Sequence, residues 1–263
     1  VDTIGGVVHV GNAGSAPAWT ATRVVRIGSE EDGPAGFGRI RSIIADAAGQ
    51  VYVADNQKNA IEVFGADGRH LRTIGRVGSG PGEFRDLYSI AWLDESLVAM
   101  DPRNARHSIV SPEGALLRHV PGRVLTGPST FMRLFPAGTT GAYTPVINAQ
   151  GELAYVRLTS AGIADTLLAP KRPADAVSYA VFCRRPDGGV TGVAPAELPT
   201  SVYAFPTPGG TIASAWTERY AVAVVAGAGD TVRIITRDMP PLAYPDSLWD
   251  EATAELRALH EEY

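Results

Sequence analysis

The chain holds one cysteine, Cys183, in 263 residues, so no internal disulfide braces it. A small buried hydrophobe in an alternating run accounts for that residue, and a catalytic thiol would need a partner that the sequence does not place. Lysine is almost absent: Lys58 and Lys171 are the only two among 23 basic side chains, and the net charge is −5. That balance lacks the basic footprint that nucleic acid demands, and RNA binding is disfavoured. No apolar run approaches the roughly 20 residues of a membrane-spanning helix. The five histidines, His9, His70, His107, His119 and His260, recur at no common spacing, so converging zinc ligands are not written into the pattern. Phosphate loops, a Ser-His-Asp order and Cys-x-x-Cys are missing as well. Neither a metal nor a cofactor is therefore expected. The chain opens on Val1 and not Met, which leaves room for a leader that has been removed.

What is abundant is turn chemistry, with 29 glycines and 19 prolines, and it is ordered. Gly33-Pro34-Ala35-Gly36-Phe37, Gly80-Pro81-Gly82-Glu83-Phe84 and Gly127-Pro128-Ser129-Thr130-Phe131 share the pattern Gly-Pro-x-x-Phe, and their phenylalanines stand 47 residues apart at both steps. A fixed period of that length marks a stacked array or a propeller. Each copy is followed by a short apolar run, then by an alternating run that ends in an acid or amide. Val51 to Asp55 matches Leu97 to Asp101, and Thr144 to Asn148 is a weaker third copy. Asp67-Gly68 and Glu113-Gly114 then supply tight turns, because glycine tolerates positive φ. Period-2 runs of Val, Ile, Tyr and Phe between such turns are strands. Each unit is therefore about four short antiparallel strands. One such sheet cannot bury both faces, and radial stacking buries both. The expected fold is an all-β propeller of four-stranded antiparallel blades, with the repeat Phe wedged between neighbouring sheets.

As a single domain over 1–263, the expected blades fall at about 37–76, 84–122, 131–169 and 201–238. Within 1–30, the run Trp19 to Gly28 matches the outer strand that ends at Gly75, again 47 residues on, and predicts a strand that closes the ring. Residues 170–200 are proline-rich and irregular. After Pro240, Pro241 and Pro245, Ser247 and Asp250 open an amphipathic helix over 246–262. Four units and one strand fall short of six blades at ~40–50 residues each. The expectation is a chain short of a closed ring by roughly two blades; the alternative is a closed ring of fewer, irregular blades that uses 170–200.

The segment Val53-Ala54-Asp55, Ile61-Glu62-Val63-Phe64 and Asp67-Gly68 resembles the NHL repeat, whose pattern is V-x-D, then R-I-x-V-F, then D-G. The second copy keeps Asp101, Asn104 and Arg106 at that family's spacing. The chain is similar to bacterial six-bladed propeller proteins of NHL type over 19–122, less so to 169, and again over 201–238. The resemblance implies a six-bladed fold, an extracytoplasmic (periplasmic or secreted) setting and a ring-closing N-terminal strand. The family includes binding scaffolds together with a few lyases and lactonases, so it implies a fold and not a reaction.

Asp55, Asp101 and Asn148 hold equivalent positions. A carboxylate there can hold a cation, and more often it caps a turn by accepting backbone N–H bonds. The favoured site is the channel mouth, where each innermost strand begins. In register stand Gly38, Arg85 and Met132; then Arg39, Asp86 and Arg133; then Arg41, Tyr88 and Phe135. Ile40, Leu87 and Leu134 between them should face the core. Arg39, Arg41, Arg85, Asp86, Tyr88 and Arg133 are thus the candidate ligand-binding residues. Arginines there suit an anionic or carbohydrate-like ligand. The expected function is a binding scaffold for a protein, peptide or glycan. The alternative is a metal-dependent propeller hydrolase or lyase.

Overall fold

A computed structural model describes residues 1–13, 18–29, 33–122, 133–138, 141–148, 152–170, 181–184, 190–193, 202–216, 221–227 and 229–238, with the single positions 246, 247, 250 and 254. An N-terminal hairpin of β1 (Asp2–Ile4) and β2 (Val7–Asn12) comes first. The first blade is β3 (Ile40–Ala45), β4 (Val51–Asp55), β5 (Ala60–Phe64) and β6 (His70–Ile74), antiparallel and in that order. The second is β7 (Ser89–Leu93), β8 (Ser96–Asp101), β9 (Arg106–Val110) and β10 (Leu116–Pro121), with a 3-10 turn over Pro102–Asn104. The third is β11 (Phe135–Ala137), β12 (Gly141–Ile147), β13 (Leu153–Thr159) and β14 (Gly162–Leu168). The pair β15 (Val181–Arg184) and β16 (Val190–Val193) makes a hairpin within 170–200, and the rest of that segment lies outside the described residues. The fourth blade is β17 (Val202–Pro206), β18 (Ile212–Trp216), β19 (Ala221–Val225) and β20 (Thr231–Arg237).

The first strands of the blades converge: β3 meets β7, β7 meets β11, and β11 meets β17. Period-2 alternation explains how the sheets stack. Tyr52 and Ala54 leave β4 on the face that packs on the second blade, together with Ile61, Val63, Ile74, Phe84, Leu87, Ile90, Leu97, Ala99 and Val110. Ala91, Leu93, Val98, Met100 and Ile109 on the opposite face of the second blade meet Leu134, Ala142 and Leu158 of the third. Phe135, Tyr143, Tyr155 and Leu167 meet Ala204 and Ile212 of the fourth. The second and third sheets are thus covered on both faces, which one sheet could not achieve alone.

The Gly-Pro-x-x-Phe loop acts as the repeat suggested in the copy between the first two blades. Phe84 is 0 % exposed in the core between these sheets, with its backbone bridged to Val77. Gly75 lets it in. Its φ is +79°, and a Cβ there would stand 2.3 Å from the Phe84 ring. Phe37 stacks edge-on against Phe64 with ring centroids 5.8 Å apart. The third copy, with Phe131 and Met132, lies outside the described residues.

Two expectations are corrected, and a third lies almost wholly outside the described residues. Trp19 to Gly28 is not a strand, and Trp19 is 90 % exposed. The N-terminal strand that joins the last blade is instead β2, which pairs in parallel with β20, Val8 opposite Arg233 through Asn12 opposite Arg237. The run β2 carries alternating Val8 and Val10 beside a finished edge, so it adds to the sheet as a fifth strand, with β1 outside it as a sixth. Ile40 is 45 % exposed and not in the core, while Leu87 and Leu134 are buried. Ile40 sits opposite Asp55 beyond a bulge, at the end of the first sheet where no described blade packs. The C-terminal helix does not emerge as an element: most of 246–262 lies outside the described residues, and Asp246, Ser247, Asp250 and Ala254 are isolated helical positions there.

Candidate functional site

The acids that end the second strands are fixed by the loops ahead of the first strands. Asp55 is fully buried and accepts backbone N–H bonds from Gly38 (2.9 Å), Arg39 (3.1 Å), Gln57 (2.9 Å) and Lys58 (3.4 Å). Burial alone pushes its carboxyl up, but these four donors win and hold it below the usual carboxylate range. Asp101 repeats the arrangement on Arg85 and Asp86, and takes a further bond from Asn104 Nδ2 at 2.6 Å. Asn148 departs from it. Its Oδ1 accepts from the Glu152 N–H at 2.8 Å and closes its own turn. The acids Asp55 and Asp101 are therefore clamps that set where each innermost strand starts.

Amides then tie one blade to the next. Asn56 Nδ2 donates to Asp86 Oδ1 at 2.8 Å and to the Leu87 carbonyl at 3.2 Å, while Asn59 Oδ1 accepts from the Leu87 N–H at 2.9 Å. Ser42 Oγ donates to the Ile90 carbonyl, and Ser89 Oγ accepts from the Leu134 N–H. These bonds hold β3, β7 and β11 at fixed spacing around a common space.

That space is a cavity of about 640 Å³ lined by all three innermost strands. Its walls are Ile43, Ile44, Ile90, Trp92, Leu134 and Pro136. Arg133 lies at the leading end of the strands, just before β11. Asp46, Asp94 and Glu95 lie at their trailing ends, just after β3 and β7. The wall therefore passes from cationic through apolar to anionic.

Of the six candidate residues, Arg133 lines this cavity, and its guanidinium stands 5.1 Å from the Phe135 ring centre. Arg41 and Tyr88 are brought together, with the guanidinium 4.5 Å over the ring. Asp86 is engaged by Asn56. Arg39 and Arg85 are exposed, and their backbone N–H groups serve the acid clamps. The acids at the trailing end were not among the candidates. Their signal was present: Asp46 and Asp94 stand 48 residues apart, close to the repeat period, each in the turn after a first strand. Among the described residues, no three of His, Cys, Asp and Glu converge as a metal site would require.

Sheets of four antiparallel strands stacked face to face, with their first strands around a shared cavity, define a β-propeller. A family model described as a 6-bladed beta-propeller matches residues 36–103. An NHL assignment is not part of that description. No curated protein sequence matches the chain. A Bacteroides fragilis protein described as exported is similar in structure, with 13 % identity and a TM-score of 0.52. The likeness covers 90 % of this chain and 62 % of that one, so the chain spans less than two thirds of that protein. Virginiamycin B lyase from Staphylococcus aureus matches with 10 % identity and a TM-score of 0.42 over 76 % of this chain and 71 % of that one. Glutaminyl cyclase from Myxococcus xanthus matches with 10 % identity and a TM-score of 0.39 over 75 % and 70 %. No helix among the described residues is long and apolar enough to cross a membrane.

Proposed function

We propose that this chain is an extracytoplasmic propeller scaffold that binds a peptide segment in the cavity framed by β3, β7 and β11. The observation that carries the reading is the charge order along the cavity, from Arg133 past Ile43, Ile90 and Trp92 to Asp46, Asp94 and Glu95. An extended peptide presents an acidic group, apolar side chains and a basic group in line, and meets each part of the wall. A glycan would use the aromatic and polar parts but not both signs of charge. The Bacteroides fragilis neighbour described as exported supports the setting outside the cytoplasm.

A library of random heptapeptides displayed on phage and selected on the full chain tests this. Enriched sequences should carry an acid and a base flanking apolar residues. Arg133→Ala should weaken a synthesised winner about tenfold, the loss of one charge-assisted contact. Arg39→Ala, outside the cavity wall, should leave it within about twofold. No enrichment, or winners indifferent to Arg133→Ala, would overturn the proposal.

A further inference from the structure

We propose that the space between the second and third blades is a second binding site, for a small neutral molecule that is mostly apolar and carries one hydroxyl group. It shares no lining residue with the central cavity. Its volume is about 370 Å³, within the roughly 300–1,000 Å³ of small-molecule sites. The walls are Val120, Val146, Val156, Leu158 and Ile163, with Thr144 and Asn148 among the polar lining, and among the described residues no charged side chain lines it.

One polar group matters here. His107 is 5 % exposed, and its Nε2 shares a hydrogen bond with Thr144 Oγ1 across the blade boundary at 3.0 Å. Its Nδ1 is buried and has no partner among the described residues. A buried ring nitrogen left without a partner costs free energy, which a ligand that bonds it recovers. Gly122 packs beside this nitrogen, and a Cβ there would stand 3.0 Å from Nδ1 and 3.2 Å from the Arg106 backbone nitrogen.

The chemistry of the ligand follows from the ring. Burial pushes His107 down to about 4, so the ring is neutral at pH 7. A neutral imidazole offers one N–H and one lone pair, and the Thr144 hydroxyl can meet Nε2 in either tautomer. A ligand hydroxyl donates or accepts equally well and suits whichever form Nδ1 takes. Among the described residues of this lining, a carboxylate would find no cation and an ammonium no anion.

The test uses p-cresol and toluene, which share a shape and differ by one hydroxyl. Binding to the full chain is read by calorimetry, and the His107 ring by nitrogen-15 NMR. p-Cresol should bind, and the Nδ1 resonance should move with p-cresol and not with toluene. His107→Phe should weaken p-cresol about fivefold and leave toluene within about twofold. Val156→Phe, which fills the space and leaves His107 in place, should abolish binding of both. If p-cresol does not bind, if it binds His107→Phe as tightly as the parent, or if Nδ1 does not respond, the site is not what we propose. Phe131, the repeat phenylalanine outside the described residues, gives one more control. If Phe131→Ala binds p-cresol and the parent does not, the chain fills its own space and the proposal fails.

Discussion

The first two inter-blade boundaries are built on one plan and filled differently. Ile61 and His107 hold the same place, each one residue after the pairs Asp55–Ala60 and Asp101–Arg106. Ile61 is fully buried in a packed apolar cluster with Phe84 and Leu87. His107 is nearly as buried but lines a cavity of about 370 Å³. The backbone frame, the acid clamps and the strand register are common to both. Among the described residues, the two boundaries thus share their strand register and differ in the side chain at this repeat position, an apolar Ile61 in one and a polar His107 in the other.

The largest effect should come from opening the sealed boundary. Phe84→Ala removes a fully buried ring that contacts both blades and leaves a cavity, at a cost of about 3–5 kcal/mol. Urea unfolding should show it as a lower midpoint with an unchanged slope. A loss under about 1 kcal/mol would mean that Phe84 is not the wedge that the repeat implies.

The pH dependence of stability separates the two boundaries next. His107 falls from its usual 6.5 to about 4 because burial penalises the charged ring. The unfolded chain therefore takes up the proton first as pH falls. Its contribution is present above pH 6.5 and is lost as pH falls to about 4, on the order of 3 kcal/mol in all. His119 is shifted in the same direction, first by burial, so the parent carries both slopes. The difference between the parent and His107→Phe isolates His107. Ile61→His should import a similar slope into the sealed boundary. Identical pH profiles for parent and His107→Phe would show that the ring is solvated.

Asp55 tests what the boundaries share. Asp55→Ala leaves the N–H groups of Gly38 and Arg39 without their acceptor, which costs about 1–3 kcal/mol. Asp101→Ala should cost a similar amount, since Arg85 and Asp86 depend on it in the same way. Thermal unfolding of both variants checks this, and unequal losses would show that the clamp is not a repeat property.

The sheets, and the turn-capping bonds of Asp55 to Gln57 and Lys58, were legible because they are local, whereas the Asp55 bonds to Gly38 and Arg39 reach back to the loop ahead of β3. Val51 to Asp55 alternates at period 2, Asp67-Gly68 follows one strand later, and the second copy repeats both, so strand, turn and acid were all visible. The Phe84 wedge was legible because three copies stood in register. The N-terminal strand was misplaced for a physical reason. Val24 to Ile27 has the right composition, but edge pairing is settled by which segment reaches the free edge of β20, and Val7–Asn12 reaches it. At the channel, the leading-end arginines stood out because they follow the repeated pentapeptide. Their roles depend on which side chains point into the cavity, and that follows from bulges such as the one between Ile40 and Ser42. Nothing in the sequence marked His107, because its significance lies in comparison with Ile61 once the register is known.

The smallest effect concerns a strap across the sealed boundary. Arg72 Nε donates to the Pro112 carbonyl of the second blade at 2.8 Å, and its NH2 nitrogen donates to Tyr52 Oη at 3.0 Å. The side chain is half-buried, so solvent screens part of the gain. Its stem also covers apolar surface beside the Tyr52 ring, 5.7 Å from the guanidinium. Arg72→Met keeps most of that cover and loses the bonds, for a cost of about 1 kcal/mol. Arg72→Ala loses both and should fall further. If the two variants are equally stable, the strap acts through its bonds alone. If Arg72→Met matches the parent, apolar packing by itself seals the first boundary, and the contrast with the His107 boundary is sharper still.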